Sequence, residues 1–202
     1  MGRRASGDRE SEVKLPTSAV PKALRAGGAL ALIFYASHVV TVMNRHEPQD
    51  ALWTCHVACA VVGLGLLAGS PALNAIGVLW LSAGVPLWML DLAAGGELKL
   101  TSVLTHVGGL TLGLTGARVL LPPRHVWISA LGALLVLGLV TRLTTPVPSN
   151  VNLAFSVWPG WETYFPSHFW YMVMILSLCG AIFFLAESLL RNCIETRSEG
   201  AS

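Results

Sequence analysis

Six runs of nearly unbroken apolar residues divide the chain, at about 27–44, 51–69, 73–93, 102–121, 125–143 and 168–190. Each approaches the roughly 20 residues that an α-helix needs to cross a hydrocarbon core about 30 Å thick. None shows the two-residue alternation of an outer-membrane strand, and helices close their backbone hydrogen bonds internally. The pattern therefore predicts an all-α, polytopic membrane bundle of about six transmembrane helices. The runs stop where Pro, Gly or charge intervenes, at Glu47-Pro48, Ser70-Pro71, Gly95-Gly96-Glu97 and Pro122-Pro123-Arg124. Pro86 should kink the third run, and the pairs Gly65/Gly69 and Gly109/Gly113 have the spacing that lets helices approach closely.

Composition supports this architecture. Of 202 residues, 53% are hydrophobic and 12% charged, too much apolar surface for one water-soluble globule of this size. A polar segment over 1–21 predicts a disordered cytoplasmic tail, followed by a six-helix domain over 22–192 and a second cytoplasmic tail over 193–202. The first apolar run leads directly into another span, so it is expected to be retained rather than cleaved as a signal peptide. A net charge of +2, with basic residues at span ends, makes nucleic acid an unsuitable partner.

Orientation follows from Lys and Arg. A cytoplasmic amino terminus puts Arg3, Arg4, Arg9, Lys14, Lys22, Arg25, Arg118, Arg124, Arg191 and Arg197 inside, and only Arg45, Lys99 and Arg142 outside. Both termini are then cytoplasmic, N-in/C-in, with the 143–167 loop on the opposite side. Trp158, Trp161, Tyr164, Trp170 and Tyr171 would form an outer aromatic belt, and Glu187 and Arg191, four residues apart, an exposed ion pair at the inner end.

In this orientation His38, His56, Asp91 and His106 fall within roughly 10 Å of the outer boundary. His168 opens the last span at the same face, and the preceding loop brings Asn150, Asn152, Glu162 and Tyr164 there. Ionisable groups inside a span cost about 2.5–3.5 kcal/mol on insertion scales and usually face the bundle interior, so a layer of four predicts a polar pocket. A His oriented by Asp91 could act as a general base. Two or three His could instead hold a metal, or two could ligate a haem. Neither HExxH nor CxxCH occurs, so no metal ligand is assigned and the cofactor stays open. Cys55 and Cys59 flank His56; Cys59, three residues on, could pair with it as a thiol nucleophile, against the common packing role of Cys in apolar helices. Thr54-Cys55-His56-Val57 and Leu104-Thr105-His106-Val107 echo each other at the openings of two spans of the same direction.

A resemblance adds to these readings. His56 near the start of the second span, Trp80 to Asp91 in the third and Thr105-His106 opening the fourth resemble the YwaF-type bacterial membrane proteins. So do Asn150 to Phe155, Tyr164-Phe165-Pro166 and Phe169-Trp170-Tyr171, and the likeness covers about residues 53–188. That family is distantly similar to transmembrane protein 164. The resemblance implies a bacterial cytoplasmic membrane location and chemistry on a lipid acyl ester, as a hydrolase or acyltransferase. On that reading His106 or His56 is the base, Asp91 its orienter and Cys59 or Thr105 the nucleophile. His38, Asn150, Asn152 and His168 are the substrate-binding candidates. The expected partners are the bilayer and a lipid substrate. The alternatives are a small permease, or a non-catalytic subunit that binds haem or metal.

Overall fold

A computed structural model describes residues 20–199; the part of the expected amino-terminal tail up to residue 19 lies outside them. The described chain is 78% helical and contains no strand. It forms α1 (Lys22–Asn44), α2 (Thr54–Ala68) and α3 (Pro71–Ala93). Next comes α4 (100–117), in which Leu100–Val103, a π-helical turn over Leu104–Gly108 and Gly109–Ala117 follow without a break. The last two are α5 (Val126–Thr144) and α6 (His168–Glu199). α6 continues well past the expected end at 190.

Local chemistry explains where the helices stop. Gly69 adopts φ +63°, which costs a residue without Cβ nothing, and Ser70 N donates back to Gly65 O at 2.8 Å, closing α2 with a Schellman turn. Ser70 then caps α3 by accepting from Leu73 N at 3.3 Å, with Pro71 at the first helical position. Gly69 is thus a helix cap with Val20 close against it, while Gly65, its expected partner in spacing, lies against the Asn74 backbone of α3, as its spacing predicts. Gly109 and Gly113 do face neighbours, meeting Cys59 and Leu81, and Val78 and Val62, respectively. Pro86 lies inside α3, which runs through it to Ala93.

Among the described residues, four helices are long and apolar enough to cross a membrane: Lys22–Asn44, Pro71–Ala93, Val126–Thr144 and the His168–Cys193 part of α6. α2, with 15 residues, is apolar but reaches only about 22 Å. α3 occupies the centre, with 44% of its apolar window buried against 11% for α6. Its Ala75, Val78, Leu79 and Leu81 pack with Ala58, Val62 and Leu66 of α2, while Trp80 Nε1 donates to Ala130 O of α5 at 2.9 Å. α1 crosses α2 at Gly28 and Gly63, where a Cβ on Gly28 would lie 2.7 Å from Gly63 O. Leu135, Val136, Leu139, Leu185 and Leu189 are exposed along α5 and α6, a surface suited to lipid.

Candidate functional site

Three helices bring imidazoles to one point. α1 contributes His38, 1% exposed; the first turn of α2 contributes His56, 8% exposed; and the π-turn of α4 contributes His106, 1% exposed. The wider π-turn is an uncommon device, found disproportionately at functional sites. The His38 and His56 ring centroids are 3.7 Å apart, and His56 and His106 meet edge to face at 5.2 Å. Trp88 of α3 stacks on His106 at 4.6 Å and 17°. Cys55 joins them: its Sγ and ring nitrogens of His56 and His106 all lie within 4.8 Å of one another.

The hydrogen bonds of these rings are ordered. His56 Nδ1 lies 3.0 Å from Asp50 O and His106 Nδ1 lies 2.8 Å from Ser102 O. A carbonyl only accepts, so both Nδ1 atoms carry the proton and both Nε2 atoms carry a lone pair. His38 Nδ1 pairs with Thr101 Oγ1 at 3.2 Å. In each ring Nε2 is buried and has no hydrogen-bond partner; among the described residues only Asn74 Oδ1 shares that condition.

A charged layer lies beyond the cluster. Arg45 donates two hydrogen bonds to Glu97, at 2.9 and 2.7 Å, and a third to Glu47 at 3.3 Å. Lys99 sits 3.8 Å from Glu47 and 3.9 Å from Glu97. Hydrogen bonding from Arg45 holds the Glu97 carboxyl below its usual range, whereas burial, reinforced by Glu47, pushes the Asp50 carboxyl up. Lys99 stands two residues before Thr101, the partner of His38.

The remaining expected site residues lie elsewhere. Asp91 is exposed in the last turn of α3, its carboxylate against the Gly96 backbone, while carbonyls of Asp50 and Ser102 orient the imidazoles; the expected Asp91 orienter is corrected accordingly. Cys59 is fully buried and its thiol donates to Ala31 O at 3.3 Å, a packing position between α1 and α2. Thr105 is also fully buried, with its hydroxyl donating to Ser102 O at 3.0 Å. Asn152 accepts from Thr54 N and Thr54 Oγ1, both at 2.8 Å, and donates to Leu52 O at 2.8 Å, so it caps the first turn of α2. Asn150 accepts from Phe155 N and Ser156 N within its own loop, and His168 Nε2 donates to Leu153 O at 2.8 Å. Arg142 donates to Ala154 O and lies over the Phe155 ring. These contacts pin the 147–156 segment beside the α2 entry. They leave Asn150, Asn152 and His168 bonded to backbone and, for Asn152, to the Thr54 hydroxyl, rather than to the imidazole cluster.

Two further expectations change. Tyr171, assigned to the aromatic belt, is 2% exposed, whereas Trp158, Trp161, Tyr164 and Trp170 are exposed. Glu187 is buried rather than exposed: Oε1 and Oε2 accept from His125 N at 2.7 Å and Trp127 N at 2.9 Å, capping α5 from across the helix pair. The sequence reasoning missed Trp88, Thr101, Ser102 and the place of Cys55. For Cys55 the available signal was its adjacency to His56. No family model, curated protein or solved structure matches the chain.

Proposed function

We propose that this is a multi-pass membrane protein that binds a transition-metal ion of the zinc or copper class through His56, His106 and Cys55, with His38 beside them. One observation carries the reading: three buried imidazoles present unpartnered Nε2 atoms at one place, and each is fixed through Nδ1. A metal-bound His commonly donates its other ring N–H to a carbonyl, which orients the ring and strengthens it as a ligand. Two imidazoles bound through Nε2 at about 2.1 Å and a tetrahedral angle have centroids about 5 Å apart. The His56–His106 separation is 5.2 Å. Imidazole with thiolate suits zinc and copper, and the Cys55 thiol would release its proton on binding. His38, at 3.7 Å from His56, would need to open away from that ring to become a fourth ligand. Haem suits the cluster less well, because axial His rings lie on opposite faces of a macrocycle, whereas here Cys55 and His38 crowd the same pair.

In this reading all six helices cross the membrane, α2 and α4 being the short crossings that hold the ligands. The Lys and Arg distribution supports cytoplasmic termini, which puts the cluster near the outer face. A bacterial cytoplasmic membrane and kinship with the YwaF-type proteins belong to the same proposal.

The test is metal analysis of the purified protein and of its loaded form. About one zinc or copper per chain is expected, falling to background in His56→Ala and His106→Ala. With copper, a thiolate absorption band that vanishes in Cys55→Ser is expected. A folded protein that takes up no metal overturns the reading.

A second reading is acyl transfer on a lipid ester, and one observation favours it: the Cys55 thiol lies beside imidazoles whose Nε2 can accept its proton. Cys55 then replaces Cys59 and Thr105 as nucleophile, and Asp91 has no part. Lipid turnover that resists chelators and is abolished by Cys55→Ser would favour it over the metal reading.

A further inference from the structure

Cys55, His56 and His106, whose donor atoms lie within 4.8 Å of one another, carry a single negative charge between them once the thiol proton has left. Among the described residues no carboxylate completes the group. Asp50 turns its main-chain carbonyl to His56 Nδ1, and Glu47 and Glu97 are held by Arg45 and Lys99 in the charged layer beyond. One thiolate and two neutral rings would leave a divalent ion with a net positive charge, whereas a monovalent ion would be neutralised. His56 and His106 are buried, and an uncompensated charge at such depth is costly.

Coordination number points the same way. Zinc in a structural site is almost always four-coordinate, while copper(I) accepts two or three ligands and is selected by soft thiolate sulfur. A fourth protein ligand is not in place: His38 stacks on His56 with its Nδ1 paired to Thr101 Oγ1, Cys59 donates to Ala31 O, and Ser102 Oγ lies 3.3 Å from His106 Nδ1 rather than at Nε2. Cys55 is seated by a close helix approach, since a Cβ on Gly84 of α3 would lie 2.8 Å from Cys55 Cβ.

We propose that the ion taken here is copper(I) in preference to zinc, held three-coordinate by Cys55 Sγ and the Nε2 atoms of His56 and His106. This preference depends on the metal-binding reading above and narrows it to one ion. Binding exchanges a proton for the metal: the S–H bond breaks, a Cu–S bond forms and the proton leaves to water. Copper stays monovalent throughout, so no oxidant or reductant is consumed.

The test loads the full-length, metal-free protein anaerobically with equimolar copper(I) and zinc, then challenges it with about a hundredfold excess of zinc. About one copper per chain is expected, most of it kept against the excess, and X-ray absorption should show one sulfur and two nitrogen neighbours. Competition with a copper(I)-chelating dye then reads the variants. Cys55→Ser should lower copper(I) affinity about a hundredfold, while Cys59→Ser should leave it unchanged, which separates the site from incidental thiol binding. Gly84→Ala presses on Cys55 without touching a donor atom and should weaken binding about tenfold. Helical melting reports whether each variant folds, and the wild-type absorption spectrum carries the test if Cys55→Ser does not. Zinc bound in preference, or a fourth protein ligand on copper, overturns the copper(I) assignment and leaves the broader metal reading standing. Undiminished copper(I) in folded Cys55→Ser overturns the three-coordinate site. A folded protein that takes up neither ion removes the metal reading itself.

Discussion

The two ends of the bundle treat buried ionisable groups in opposite ways. At the α5–α6 end, Glu187 is 6% exposed, and each carboxylate oxygen accepts a backbone N–H. At the other end, three imidazoles are equally buried, and each has one nitrogen engaged and one without a partner. A buried polar atom left unpartnered costs about 1–3 kcal/mol, whereas a hydrogen bond to a charged group contributes about 1.5–3 kcal/mol. The first arrangement adds to stability. The second detracts from it, and a cluster that carries such a cost on three helices at once is better explained by binding than by architecture.

The largest effect should come from removing one ring of the costly cluster. His106→Phe keeps an aromatic ring against Trp88 but removes Nε2, so metal uptake should fall from about one per chain to background. Melting of the metal-free protein should be unchanged or higher, because an unpartnered buried atom has gone. A large drop in metal-free stability would show that the cluster is structural after all.

Glu187→Ala should do the reverse. Losing two charge-assisted bonds and the α5 cap should cost about 2–4 kcal/mol, read as a lower melting temperature, with metal per folded chain unchanged. If Glu187→Ala melts like the wild type, the contrast between the two ends fails.

Asn152 links the site to the strained loop beside it. It holds Thr54, immediately before Cys55 and His56, and it does so from φ +54°, near Leu153 at φ +58°, a conformation unfavourable for residues with a Cβ. Asn152→Ala should lower stability by about 1 kcal/mol and metal affinity about tenfold, the scale of a lost outer contact. Normal affinity in this variant would mean that α2 positions its own ligands.

The smallest effect should come from the exposed layer. Glu97 has its carboxyl lowered by Arg45, so the pair contributes above the ordinary carboxylate range and is lost as pH falls through the depressed value. Both partners are solvated, so Arg45→Gln should flatten the acid limb of the melting profile only slightly, and added salt should abolish the difference.

Helical architecture was legible in the sequence because a bilayer leaves an apolar run few alternatives. The break at Ser70-Pro71 was equally legible, since Gly69, Ser70 and Pro71 each have a local reason to end one helix or begin the next. Helix ends moved by several residues in places, as at α2, which begins at Thr54 rather than 51 and is capped by Asn152, whereas α5, capped by Glu187, moved by one. The polar layer was visible too, because His38, His56 and His106 recur at matching depth on the first, second and fourth spans. Which way those side chains point was not visible. Depth depends on counting residues from a boundary, but azimuth depends on how helices pack and on the π-turn that carries His106. Asp91 shows the difference: it shares the expected depth and lies outside the cluster. Cys55 shows the converse, being the neighbour of His56 that the packing of α2 against α4 brings to the imidazoles. Sequence therefore determined that this chain forms apolar helices with a band of histidines near one end. Only tertiary structure decided that three of those rings converge, that carbonyls rather than a carboxylate orient two of them, and that their Nε2 atoms are left unpartnered. The reason is physical: hydrophobicity acts residue by residue along the chain, whereas convergence is a relation among helices that no single segment encodes.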